Sequence, residues 1–145
     1  MERKIILLVE DNEDDIKLTL NAFKDDRVQN LVEVVRDGEE ALEYIHGTGR
    51  YEGSSNIDEI AVVLLDIKLP KIDGMEVLKR IREEEKTKTL PVVILTSSNE
   101  EKDIINGYKL GCNSYVRKPI EFETFTKAVK ELGLYWLLLN EPPVE

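Results

Sequence analysis

Val62-Val63-Leu64-Leu65-Asp66 decides the fold. Four consecutive apolar residues, preceded by Ala61, describe a short strand buried on both faces, as in a parallel sheet. The run stops at a carboxylate. Ile67-Lys68-Leu69-Pro70 and then Asp73-Gly74 lead from it into a helical pattern. Open α/β sheets bind ligands just beyond the carboxyl ends of their strands. Asp66 therefore stands where such a fold does its chemistry.

On either side of this strand the same alternation recurs. Lys4 to Val9 reads as a first strand, and Glu10-Asp11-Asn12-Glu13-Asp14-Asp15 sets five carboxylates within six positions. Asn12 suits an N-cap, with acids in the first turn favoured by the helix dipole. Ile16, Leu20 and Phe23 mark the apolar face of a helix running to about Asp25. Leu31 to Val35 is a second strand, and Asp37-Gly38-Glu39-Glu40 opens a second helix with Ala41, Leu42 and Ile45 inward. Residues 47–59 contain three glycines, two serines and Asn56, a composition that predicts a mobile surface loop, longer than most connections. His46 falls at the helix end before it.

After the central strand, Asp73-Gly74-Met75-Glu76 resembles a capping box for a third helix with Met75, Leu78 and Ile81 on one face. Glu83 to Lys88 is a charge run that suits a solvated helix end and loop. Pro91 opens a fourth buried strand, Val92 to Leu95, ended by Thr96-Ser97-Ser98. Ser98 and Glu101 can cap a fourth helix, with Ile104, Ile105 and Tyr108 inward and Gly111 just past its end. Ser114-Tyr115-Val116 is a fifth strand, closed by Lys118-Pro119, and a last helix is predicted from about Glu121 to Asn140. Five β-α units in succession predict a parallel five-stranded sheet with five helices and right-handed crossovers.

A length of 145 residues suits one domain. The net charge of −10 argues against nucleic acid or an anionic membrane as partner. Cys112 is the single cysteine, which excludes an internal disulfide and fits a reducing, cytoplasmic setting. The apolar run at 5–9 is too short for a signal peptide or a membrane span.

If the sheet is wound 2-1-3-4-5, strands one, three, four and five end in Glu10-Asp11, Asp66, Thr96 and Lys118 around one crevice. Three carboxylates that converge repel one another, so one is protonated more readily than usual or a cation binds. Oxygen ligands with room for water suit Mg²⁺. Such a set can hold a metal and a phosphoryl group together, with Asp66 as the acceptor.

The pattern resembles the receiver domain of two-component response regulators over residues 4 to about 132. Val9-Glu10-Asp11, Leu65-Asp66-x-x-Leu69-Pro70, Asp73-Gly74, Thr96-Ser97, Gly111 and Lys118-Pro119 carry the resemblance. It implies a flavodoxin-like, doubly wound α/β fold. It also implies that Asp66 takes phosphate from the phosphohistidine of a sensor histidine kinase. Asp11 and Asp66 would ligate Mg²⁺ with the backbone carbonyl of Lys68, and Glu10 would act through water. Thr96 and Lys118 would each bind a phosphoryl oxygen, Tyr115 would be the switch aromatic beside Thr96, and Lys118-Pro119 would be a cis peptide. Position 10 is Glu where many receivers have Asp. Lys68 and Ser98 stand where the family varies its dephosphorylation rate.

The long loop at 47–59 and the apolar stretch at 133–140 resemble the stand-alone regulators that partner bacteriophytochrome-type histidine kinases. The chain reads as a single receiver domain over 1–145, with 133–145 a C-terminal apolar extension and short tail. With no output domain in view, output is expected through contacts of the receiver itself, or through relay of the phosphate. Phe122, Phe125, Val129, Leu132, Trp136 and Leu139 form a helical stripe, and 134–139 are apolar on every side. A homodimer through this helix is therefore expected. Two other readings compete. A haloacid-dehalogenase-type phosphatase also uses an aspartyl phosphate but needs a second Asp two residues on, where this chain has Lys68. A pseudo-receiver would bind partners without phosphate, and the intact Glu10, Asp11, Asp66, Thr96 and Lys118 set argues against it.

Overall fold

Strands β1 (Ile5–Val9), β2 (Leu31–Val35), β3 (Ile60–Leu65), β4 (Val92–Thr96) and β5 (Ser114–Arg117) form one parallel sheet ordered β2-β1-β3-β4-β5. Between them run helices α1 (Glu13–Ala22), α2 (Gly38–His46), α3 (Gly74–Glu83) and α4 (Glu101–Lys109). This computed structural model describes residues 5–24, 31–54, 57–97 and 101–118, together with 123, 124 and 127. The predicted winding and strand positions are borne out. Pro119, Ser98 and the stripe of Phe122, Phe125, Val129, Leu132, Trp136 and Leu139 lie outside the described residues.

The central position of β3 follows from its composition. All six of its residues are buried, because helices cover both faces of the sheet. Ile5, Leu7, Val9, Val63, Leu65 and Ile94 pack with Ala41, Ile45, Val77, Leu78 and Ile81 on one side. Ile6, Leu8, Val62, Leu64, Val93 and Leu95 pack with Ile16 and Phe23 of α1 on the other. Each such Val, Leu or Ile contributes about 1.5–3 kcal/mol when fully buried. The strand ending at Asp66 is thereby anchored on both faces and paired along both edges.

Polar side chains set the helix starts. Asn12, Asp37 and Asp73 accept hydrogen bonds from the backbone N–H groups of Asp15, Glu40 and Glu76, at 3.0, 2.7 and 3.0 Å. Each cap is worth about 1 kcal/mol. The third helix ends in the expected charged segment, but Thr87 within it is buried. Its hydroxyl donates to the Ile81 carbonyl at 2.6 Å, satisfying one carbonyl at the helix end.

Two expectations are corrected. The first part of the loop after α2 is anchored rather than loose, with a 3₁₀ turn at Gly49–Tyr51 and a second at Ile57–Glu59. The Tyr51 hydroxyl donates to Glu40 at 2.7 Å, its ring meets Tyr44 edge-on at 5.0 Å, and Arg50 donates to Glu43 at 2.7 Å. Glycine and serine content speaks for flexibility, yet one aromatic and one arginine suffice to fasten Gly49–Tyr51 to α2. Tyr108 is 53% exposed instead of facing inward. Gly107 of α4 lies against the sheet, where a Cβ would be 2.8 Å from Ile94 Cδ1. One step further around the helix, Tyr108 is carried out to solvent.

Candidate functional site

β1 and β3 run with Val9 opposite Leu65, so the first residues past the two strands lie side by side. The Asp66 backbone N–H donates to the Val9 carbonyl at 3.1 Å, and that of Glu10 to the Val35 carbonyl at 3.0 Å. Glu10 and Asp66 are buried and Asp11 is exposed. A carboxylate oxygen from each of the three lies within 4.8 Å of the other two. Glu10 is also fixed by the Asn12 backbone N–H, which donates to its Oε2 at 3.2 Å.

Lys118, just beyond β5, projects into this group. Its ammonium contacts Glu10 Oε1, lies 2.9 Å from Asp15 Oδ2 and lies 3.1 Å from Asp66 Oδ2. Gly74 allows α3 to begin close by, since a Cβ there would sit 2.1 Å from the Asp66 carbonyl oxygen. Its N–H donates to the Ile67 carbonyl at 2.8 Å. Asp11, Ile67, Lys68, Leu69, Pro70, Asp73 and Met75 line a shallow cleft at the same end of the sheet.

Crowding of like charge is visible in the titration of these groups. Burial, with the negative charge of Asp66 adding to it, pushes the Glu10 carboxyl up to about 7 against the pull of Lys118. For Lys118, burial works against the charge, but contact with Glu10 and Asp15 and the field of Asp66 outweigh it, so its pKa rises. Three carboxylates, those of Glu10, Asp15 and Asp66, thus meet one ammonium, and Asp11 adds a fourth negative charge beside Glu10 and Asp66. The donors are hard oxygens close enough to converge on one ion, and the local charge is negative, which fits a divalent cation of the Mg²⁺ type.

The structure brings together Glu10, Asp11, Asp66 and Lys118, with Lys68 on the cleft beside them. Thr96 ends β4, its backbone paired in register with Arg117; its side chain lies outside the described set. Tyr115 is half-buried on β5, opposite Ile94, and packs on the core beneath α4. Asp15 was legible only as a first-turn acid. No local signal points to its contact with Lys118, which lies 103 residues along the chain.

The sequence pattern of the response regulator receiver domain matches residues 6–130. The chain belongs to the response regulator receiver family. The solved bacteriophytochrome response regulator AtBRR is 49% identical, with a TM-score of 0.83 over 97% of this chain and 100% of that one. The probable methanogenesis regulatory protein FilR2 of Methanothrix harundinacea is 40% identical over 96% of this chain and 87% of its own length. Response regulator Rcp1 of Synechocystis sp. is 37% identical over 92% of this chain and 89% of its own. A Mn²⁺-bound Rcp1 structure superposes with a TM-score of 0.76 at 35% identity, covering 97% and 99% of the two chains. The resemblance to phytochrome-type regulators is borne out. No helix among the described residues is long and apolar enough to cross a membrane.

Proposed function

We propose that Asp66 is the phosphoacceptor, charged by the phosphohistidine of a phytochrome-type sensor kinase in a Mg²⁺-dependent reaction. The observation that carries this reading is the Asp66 carboxylate itself, buried at the end of β3 and joined to Lys118 at 3.1 Å within the acidic group. A carboxylate oxygen forms the new P–O bond as the P–N bond breaks, and the imidazole leaves with the bonding pair and takes up a proton. Attack by an anion on an anionic phosphoryl group is slow unless its charge is offset. Asp11, Asp66 and the Lys68 carbonyl would hold Mg²⁺ directly and Glu10 through water. Bound there, the ion supplies positive charge to the transferring group. Lys118 offers a second cation to a phosphoryl oxygen, the Thr96 hydroxyl a hydrogen bond, and Tyr115 follows Thr96 as the switch. The Mn²⁺-bound form of Rcp1 supports a divalent ion at such a site, and AtBRR supports the kinase class. The test is phosphorylation by acetyl phosphate with Mg²⁺, followed by intact mass. Wild type gains one hydroxylamine-sensitive phosphoryl group and Asp66→Asn gains none; modification persisting in the variant would overturn the assignment.

The reading extends to the chain as a whole. Residues 1–145 form one receiver unit acting in the cytoplasm, with 133–145 an apolar extension that pairs two copies. Its support is the uncharged run Leu134 to Leu139, which as a helix would be apolar on every side. Sedimentation equilibrium is expected to show a dimer for wild type and a monomer for Trp136→Glu. A wild type that stays monomeric at tens of micromolar, with and without beryllofluoride, rules the dimer out.

A further inference from the structure

Three carboxylates meet the Lys118 ammonium, which donates hydrogen bonds to Asp15 and Asp66 and pairs by charge with Glu10. The three partners differ in a way that bears on function. The Glu10 side chain is 1% exposed, that of Asp66 8%, and that of Asp15 31%. Glu10 and Asp66 also belong to the group of oxygens that can converge on one cation, whereas Asp15 does not. Asp15 comes from α1, where its own backbone N–H is held by Asn12, so its carboxylate reaches Lys118 from a fixed helix turn.

We propose that Asp15 is a positioning residue that competes with the phosphoryl group for Lys118 and so limits how tightly the modified state is held. This deepens the reading of Asp66 as the acceptor and rests on it. A phosphoryl group on Asp66 projects beyond the carboxylate, so the ammonium shifts to meet it and one existing pair lengthens. The Glu10 side chain is sealed from water, so a stretched pair there could not be rehydrated, which makes it the costlier one to lengthen. Asp15 is open to water and can be rehydrated, so the release falls on that pair. Until release it draws the ammonium toward α1, and its charge opposes any anion placed on Asp66. Removal of Asp15 acts in one direction on both counts. It frees the ammonium and deletes a like charge, so an anion at Asp66 is bound more tightly.

Beryllofluoride serves as the probe, titrated by calorimetry at saturating Mg²⁺ so that changes in metal affinity do not enter. Asp15→Asn and Asp15→Ala are expected to bind it about 3- to 10-fold more tightly than wild type, the size usual for one partly exposed charge. Asp15→Glu keeps the charge and should stay near wild type. Each variant's unfolding midpoint is measured alongside, because a merely structural role would move stability and leave this affinity unchanged. Unchanged or weakened binding in Asp15→Asn, with wild type binding normally, overturns the proposal. Failure of wild type itself to bind, or binding undiminished in Asp66→Asn, would instead overturn the acceptor reading.

Discussion

Two half-buried cations sit at opposite ends of the sheet, and their surroundings differ in kind. Lys118 is ringed by ionisable carboxylates, from Glu10, Asp15 and Asp66. Arg82, in the last turn of α3, is ringed by neutral oxygens. Its Nε donates to the Gly111 carbonyl at 2.8 Å, its Nη1 to the carbonyls of Leu90 at 2.7 Å and Lys88 at 3.2 Å, and its Nη2 to Asn113 Oδ1 at 2.9 Å. Asn113 Oδ1 in turn accepts the Val92 backbone N–H at 2.9 Å. The arginine fork thus ties α3, the start of β4 and the turn after α4 into one unit. Burial lowers the Arg82 pKa, and no carboxylate answers its charge among these contacts. The contrast separates a clamp from a relay. A planar guanidinium on fixed carbonyls holds one geometry. A flexible ammonium among carboxylates can pass from one anion to another with little change in the fold.

The largest effect expected from this contrast is at Lys118. Lys118→Met should lower the rate of phosphorylation by acetyl phosphate about 100-fold or more, the scale for loss of one group that stabilises transferring charge. It also leaves Glu10 and Asp66 buried without their cation. The metal-free protein should therefore lose stability, on the order of 3–5 kcal/mol, and saturating Mg²⁺ should restore part of it. Metal-independent stability in this variant, measured by urea unfolding, would break the picture of a site held by balanced charge.

Arg82→Met should give the complementary result. It strands the Leu90 and Gly111 carbonyls and releases the turn at 111–113, for a loss of about 2–4 kcal/mol that Mg²⁺ does not repair. Phosphorylation of the folded variant should match wild type. A slower phosphorylation rate with unchanged Mg²⁺ affinity would mean that the two ends of the sheet are coupled, and the division between clamp and relay would fall.

How much of this was legible in the sequence depends on which residues carry it. The apolar runs at 5–9, 62–65 and 92–95 and the caps Asn12, Asp37 and Asp73 are local signals, so the strands and helix starts were readable one stretch at a time. Glu10, Asp11, Asp66 and Lys118 were readable because each follows such a strand, and the winding order alone brings strand ends together. Asp15, Arg82 and Tyr51 were not. Each acts through a partner distant in the chain or through a rotamer: Asp15 with Lys118, Arg82 with Gly111 and Asn113, Tyr51 with Glu40. A lone acid in a first turn, an arginine in a last turn and a tyrosine in a glycine-rich loop all have ordinary local explanations. Only packing shows that these three also do something else.

The most gradual effect concerns pH, and its sign is the reverse of the usual carboxylate pair. Burial raises Glu10 from 4.5 to about 7 in the folded, metal-free protein, with Asp66 adding to the rise and Lys118 opposing it. Between those two values the folded state binds more protons than the unfolded chain. The contribution of Glu10 to stability therefore falls as pH rises through that window and levels off above it, with a slope of at most about 1.4 kcal/mol per pH unit. A buried acid stabilised in its ionised form would show the opposite slope. Mg²⁺ favours the ionised carboxylate, so saturating metal should flatten the profile, and Mg²⁺ affinity should itself climb over the same range. Glu10→Gln, which keeps the shape and removes the proton equilibrium, should lack this component of the slope. Urea unfolding with chelator, repeated in small pH steps from about 5 to about 8, measures all three profiles. A wild-type slope that survives in Glu10→Gln would move the titration to another group. A slope that rises with pH would mean that Lys118 outweighs burial, and that this ammonium, like the guanidinium of Arg82, is fixed to its partners rather than shared among them.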